Sequence, residues 1–365
     1  MIRVFHIISH FDQGGAERVA INIAKSKSVH FEYHVVEVVK TSGIFRNCLI
    51  KECREQGVHV HTAFVRNNKL GILFFPVWFT ALFLKERPKI IHTHTEVPDM
   101  AVWLWHIVFG GVLNNVKYVR TIHNTRLWTG WGWIGKKVES FYRQKKANVA
   151  ISLSTQENYQ FYYGERPEII YNGIEKNRQI QFPHIVKGKI NILFAGRLEY
   201  QKGVSQLIEV MHALADVQRF YFHIVGEGSR SNDIDSVIKG LPNCRRYPKI
   251  YGLSAYLSSF DYLFMPSNFE GLALLPLEAG ISHVPTIINR CKGLKECLPS
   301  DWPLSVENND VGAFLDIFNS LPQFNRKLLG EQAYKHVSNV YSIKQMQTKY
   351  EKKYQKVLGH DLKVK

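Results

Sequence analysis

Short β-branched runs alternate with helical patterns along the whole chain. In the first half, strands are predicted at residues 2–8, 33–39, 58–61, 90–94, 116–122, 147–151 and 168–171. Helical segments lie between them. After Gly14 and Gly15, the residues Ala16, Val19, Ala20, Ile23 and Ala24 recur at i, i+3, i+4, i+7 and i+8, which gives a helix one apolar stripe. Residues 176–189 are polar, contain Pro183 and Gly188, and read as a linker. The pattern then restarts with strands at 190–195, 221–225, 262–265 and 285–288 and a helix from Gly203 carrying Val204, Leu207, Ile208, Met211 and Leu214. Nearly continuous apolar strands alternating with helices mean a parallel sheet covered on both faces. The fold class is therefore α/β, with two doubly wound Rossmann-like domains facing a central cleft. Their expected bounds are 1–180 and 188–342, and a C-terminal helix over 343–365 is expected to pack back on the first domain.

Composition narrows this picture. With 365 residues, 45% hydrophobic and 21% charged, the chain is neither disordered nor low in complexity. The net charge is +16, which suggests an anionic partner. Residues 1–187 hold most of that excess, with 25 Lys and Arg against 14 Asp and Glu. Cys48, Cys53, Cys244, Cys291 and Cys297 are too few for a disulfide scaffold and read as free thiols of a reducing compartment. The N-terminus reads as a first strand rather than a leader. The apolar stretch 71–84 is shorter than a bilayer span and contains Pro76. The expectation is a cytoplasmic protein that can rest on the inner face of a membrane.

Three loops at predicted strand ends carry candidate chemistry. The first contains Gly14, Gly15 and Glu17 ahead of a helix, where backbone can approach a phosphate. The second, after the strand 190–195, places Arg197 and Lys202 just before a helix, a pair of cations suited to a diphosphate. The third runs from Ser267 to Ala279 and holds Glu270 and Glu278 around an apolar segment with Gly271 and Leu274. Carboxylates accept hydrogen bonds from sugar or ribose hydroxyls. Pro276 suits a first helical turn and would set Glu278 in that turn.

Taken in order, Gly14-Gly15-Ala16-Glu17-Arg18, His123-Asn124 after a strand, Tyr171-Asn172-Gly173, Arg197 with Lys202-Gly203, Gly226-Glu227-Gly228, and Glu270 with Glu278 resemble the retaining GT-B glycosyltransferases of family 4. The resemblance implies that Gly14 and Gly15 approach a donor diphosphate and that Arg197 and Lys202 neutralise it. It implies that Glu278 holds the ribose, that Glu270 and His123 reach the donor sugar, and that backbone N–H groups near Gly271 and Leu274 cap oxygens. The implied donor is a UDP- or GDP-linked sugar, a substrate rather than a cofactor. Asn124 stands where the family often has an acidic residue, and His283 where it has a small one.

No zinc set stands out among the histidines, and Asp233-Ile234-Asp235 reads as a polar helix start rather than a metal motif, so no obligatory metal is expected. Trp128, Trp131 and Trp133, with Arg126, Lys136, Lys137, Arg143, Lys145 and Lys146 around or after them, have the composition of a contact with an anionic membrane. A lipid-linked or saccharide acceptor in surface polysaccharide assembly follows as the expectation. The rivals are a nucleotide-sugar epimerase of the same design, which needs no acceptor, and a nucleic-acid binder. No recognition module supports the latter, and Glu270 and Glu278 would oppose a phosphate backbone.

Overall fold

The computed structural model describes residues 1–12, 14–110, 115–130 and 132–359. It divides into unit 1, Met1–Gly173 with Ile343–Lys365, and unit 2, Ile174–Ser342. Unit 1 runs β1 (Ile2–Ile8), α1 (Gly15–Ala24), β2 (Phe31–Glu37), α2 (Arg46–Glu55), β3 (His59–His61), α3 (Asn68–Glu86), β4 (Ile90–His94), α4 (Glu96–Phe109), β5 (Lys117–Ile122), α5 (Gly132–Gln144), β6 (Asn148–Ala150), α6 (Leu153–Tyr163) and β7 (Glu168–Ile169). Unit 2 runs β8 (Ile190–Ala195), α7 (Val204–Ala213), β9 (Phe220–Val225), α8 (Ser231–Ile238), β10 (Cys244–Tyr247), β11 (Tyr262–Met265), α9 (Leu274–Ile281), β12 (Thr286–Asn289), β13 (Ser305–Val306), α10 (Val311–Ser320) and α11 (Arg326–Val340). The helix α12 (Ile343–Leu358) returns to unit 1.

Every described strand pair is parallel, in the orders β3-β2-β1-β4-β5-β6-β7 and β10-β9-β8-β11-β12-β13. Both are doubly wound sheets. Strand order reverses at β1/β4 in unit 1 and at β8/β11 in unit 2, and open sheets of this kind bind ligands beyond the strand ends at that reversal.

The segment 176–189 is not a free linker. Its Ile180 N–H donates to the Ala255 carbonyl at 2.8 Å, and buried Phe182 packs against Phe260 and Tyr247. The boundary therefore falls at Gly173 rather than at 180. Helix α12 buries Met346, Tyr350 and Tyr354. Its Gln347 amide donates to the Asn22 carbonyl on α1 at 2.7 Å. Residues 360–365 of the expected terminal helix lie outside the described residues.

Pro76 does not interrupt α3, which continues for 19 residues. Asn67 caps it by accepting from the Lys69 and Leu70 N–H groups. The lost helix hydrogen bond is outweighed by burial of Ile72, Phe75, Phe79 and Phe83 against Trp105 and the sheet. Trp128 is likewise a core residue. Its indole N–H donates to Glu139 at 2.6 Å inside a buried knot, where Arg120 also pairs with Glu139 and with Asp99, each at 2.7 Å. The expectation that Trp128 faces a membrane is corrected accordingly. Trp133 is exposed, and Trp131 lies outside the described residues.

Candidate active site

The candidate residues of unit 2 lie where its strand order reverses. β8 ends at Ala195, and the loop Gly196–Glu199 leads into one 3-10 turn, Tyr200–Lys202. β11 ends at Met265, and its loop carries Glu270. The two loops meet: the Lys202 Nζ lies 2.6 Å from the Glu270 Oε1, with both side chains largely buried. Gln201 donates to the other carboxylate oxygen of Glu270 at 3.4 Å and accepts from the exposed Arg197 guanidinium at 3.0 Å. Arg197, Gln201, Lys202 and Glu270 thus form one linked set. The neutral Gln201 escaped the sequence reading, although it sits inside the charged stretch that drew attention. Beside the set, burial pushes the Cys291 thiol up to about 12, with the Glu270 charge acting in the same direction, so the thiol stays protonated.

Backbone geometry fixes this loop pair. Gly203 has φ +70, and a Cβ there would fall 1.7 Å from the Pro266 carbonyl oxygen. Gly226, at φ +147, lets the loop after β9 close on Gly196, whose carbonyl oxygen would lie 1.9 Å from an added Cβ. We expect Gly203→Ala to cost about 1–2 kcal/mol for the left-handed backbone alone, with more for the clash. Lys202 would shift with it. A Tm unchanged from wild type would contradict this.

Helix α9 begins at Leu274, with no side-chain cap from Ala273. Pro276 is its third residue and Glu278 its fifth. Glu278 therefore lies half-buried in the second turn, not in the first as Pro276 suggested. Gly271 lies in the loop before the helix, and Leu274 supplies the first helical N–H, which points toward the helix start.

In unit 1, Gly14 starts α1 in extended conformation, and Gly15 is the first helical residue. The Gly14 N–H already donates to the Asp12 carbonyl at 2.9 Å. The buried Glu17 carboxylate folds over Gly14, its Oε2 lying 2.1 Å from where a Cβ would stand. Burial pushes the Glu17 carboxyl above the ordinary carboxylate range. His123 follows β5 and is buried, and burial lowers its pKa to about 3. It is a neutral hydrogen-bonding group at neutral pH, not a cation. Its Nε2 lies 3.2 Å from the His94 Nδ1. That partner, at the end of β4, had no sequence signal beyond its place at a strand end. Asp233 and Asp235 lie on α8, paired with Arg230 at 2.7 Å and Arg246 at 2.6 Å, as befits a polar helix face.

Two such doubly wound units of parallel strands and helices are the fold of the GT-B glycosyltransferases. The structure resembles Anabaena HepE solved with UDP and glucose, at a TM-score of 0.80 and 14% identity, covering 98% of this chain and all (100%) of that one. Residues 13–178 match the family model described as Glycosyltransferase Family 4, and residues 189–322 the model described as Glycosyl transferases group 1. The two matches together span most of the chain and support a group 1 glycosyltransferase. It is 29% identical to an uncharacterised 41.2 kDa protein of the Klebsiella pneumoniae cps region, a match over 42% of this chain that spans only 45% of that protein. It is 24% identical to the Escherichia coli O-antigen biosynthesis glycosyltransferase WclY, over 74% of this chain and 81% of that one.

Proposed function

We propose that this glycosyltransferase moves a sugar from a UDP- or GDP-linked donor, with retention of anomeric configuration, to a lipid-linked acceptor in surface polysaccharide assembly. The observation that carries the donor assignment is the Lys202–Glu270 pair at the strand reversal of unit 2. Breaking a sugar–phosphate bond puts negative charge on the leaving diphosphate. Lys202, Arg197 and the start of α9 supply donors to it. Glu270 accepts from a sugar hydroxyl while holding Lys202, and Glu278 accepts from the ribose. Retention proceeds by attack of the acceptor on the face that the leaving group vacates, with no covalent enzyme intermediate. The assay is nucleoside diphosphate release from a panel of UDP- and GDP-sugars, with and without lipid-linked saccharide. Release that depends on the acceptor is expected; conversion of the donor sugar without acceptor would mark an epimerase instead.

The acceptor assignment rests on the surface of unit 1 and on the named roles of the relatives. Helix α3 turns Leu73, Phe74 and Val77 outward. Arg66, Lys69, Lys85 and Arg87 lie exposed at its ends. Arg126, Lys136, Lys137, Arg143, Lys145 and Lys146 are also exposed. An apolar stripe edged by cations suits an anionic leaflet, where each basic residue contributes about 1 kcal/mol. We expect co-sedimentation with phosphatidylglycerol vesicles that weakens with salt, and weaker binding at every salt for the Leu73→Ser, Phe74→Ser, Val77→Ser triple variant. Absence of binding to anionic vesicles at low salt would remove the membrane and favour a soluble saccharide acceptor.

A further inference from the structure

Behind His123 lies a continuous run of buried polar side chains that donor binding alone does not require. The Tyr350 hydroxyl of α12 lies 2.8 Å from the Thr121 Oγ1, which lies 2.7 Å from the His92 Nε2. The His92 Nδ1 lies 2.8 Å from the Tyr354 hydroxyl, and that hydroxyl lies 3.4 Å from the His6 Nε2. The His6 Nδ1 lies 3.0 Å from the His94 Nε2, and the His94 Nδ1 lies 3.2 Å from the His123 Nε2. All seven side chains are buried, and the first six are essentially inaccessible. His6, His92 and His94 bring ring nitrogens within 4.8 Å of one another, as a metal site could. Here each of their six ring nitrogens is committed to a hydrogen bond, so the group is a chain of donors and acceptors.

Burial lowers the pKa of all four histidines, which stay neutral and carry one N–H each. Each of the seven groups then has one hydrogen to place, and six contacts join them. One hydrogen must be left over. A run of donors pointing from His123 toward α12 leaves it on the Tyr350 or Thr121 hydroxyl, where the chain offers no further acceptor. A stranded buried donor carries the full cost of desolvation. The opposite run has Tyr350 donating to Thr121, then Thr121 to His92, His92 to Tyr354, Tyr354 to His6, His6 to His94 and His94 to His123. It leaves the spare hydrogen on the His123 Nδ1, which has no protein partner among the described residues. Orders that meet at Tyr354 make its hydroxyl accept twice and strand its buried hydrogen, and the remaining mixed orders set two donors or two acceptors against each other. Tautomers in such a network are assigned by this count.

We propose that the α12 tyrosines and the strand histidines polarise this chain so that His123 is held as the Nδ1–H tautomer and presents a hydrogen-bond donor to the ligand. Tyr354, His6 and His94 are positioning residues, acting through His123. The inference rests on the reading that His123 faces the donor sugar, where the group it meets must be an acceptor oxygen of a hydroxyl or ring substituent. It ties a helix from the end of the sequence to the polarity of a residue after β5.

Imidazole 15N NMR of histidine-labelled protein, with His123 assigned by its loss in His123→Asn, reads the tautomer directly. Wild type should show a protonated Nδ1 and an unprotonated Nε2 at His123. Tyr354→Phe cuts the chain between His92 and His6, so both tautomers should appear. kcat/KM should then fall about two-fold as the competent fraction halves. Tyr350→Phe deletes a buried hydroxyl on the same helix but leaves Thr121 with a hydrogen to donate, so the Nδ1–H tautomer should persist. A wild-type Nε2–H tautomer, or a tautomer unmoved in Tyr354→Phe, overturns the proposal. A tautomer that mixes with no change in transfer upholds the chain and instead removes His123 from the sugar site.

Discussion

Lys202→Ala should lower kcat/KM for transfer by about a hundred-fold, most of it in kcat. A charge-assisted hydrogen bond contributes roughly 1.5–3 kcal/mol, and each ~1.4 kcal/mol is a factor of ten in rate. The loss falls on kcat because the diphosphate gains its charge as the sugar departs. A second effect comes from the pair itself. Glu270 is only 6% exposed, and in the variant its carboxylate loses the ammonium 2.6 Å away. The single variant should therefore be less stable than wild type. Adding Glu270→Gln should restore stability, since a neutral amide needs no counter-charge, while transfer stays low. Melting curves and nucleoside diphosphate release on the four proteins of the cycle check both parts. A single variant with wild-type turnover would remove Lys202 from the diphosphate site.

Unit 1 should also lose stability steeply as the pH falls from 7 to 5. Burial lowers His6 and His123 to about 3, against about 6.5 for an unfolded histidine. The folded state then binds fewer protons than the unfolded one between those values. The histidine contribution is fully present above pH 6.5 and is lost as the pH drops toward 3. Each of the two loses about 2 kcal/mol between pH 7 and pH 5. His92 and His94 are shifted in the same direction. Asp99 acts oppositely, because burial raises it to about 7 despite Arg120, and it offsets between one and two of the four histidines. Urea unfolding across pH isolates the histidine part. His6→Asn should flatten the slope of stability against pH by about 1.4 kcal/mol per unit between pH 4 and 6. An unchanged slope would mean that His6 is protonated in the folded protein.

Much of the fold is legible in the chain because parallel strands buried on both faces are continuous apolar runs, as at Ile2–Ile8 and Ile190–Ala195. The strand Cys244–Tyr247 escaped notice because it is an edge, paired only to β9, and carries Arg245 and Arg246. Ser305–Val306 is too short to show a pattern. The loops of unit 2 drew attention for a different reason, charged residues next to glycines after an apolar strand, and the structure brings Arg197, Lys202 and Glu270 of those loops into one linked set. Pro276 misled because it fits any position of a first turn, so the helix began two residues earlier. Trp128 misled because composition does not say which way an indole faces; its N–H needed Glu139, eleven residues on. The histidine chain had no local signal at all. Tyr354 and His6 are 348 positions apart, and no periodicity predicts that they touch.

The central claim is that this chain transfers a sugar from a nucleotide diphosphate with retention. Carbon-13 NMR of a donor labelled in the sugar, followed with the acceptor present, reads bond formation and stereochemistry together. A new glycosidic anomeric signal with the donor's own configuration, appearing only with acceptor, is the result expected. A product of inverted configuration, or a relabelled free sugar nucleotide formed without acceptor, would contradict the account.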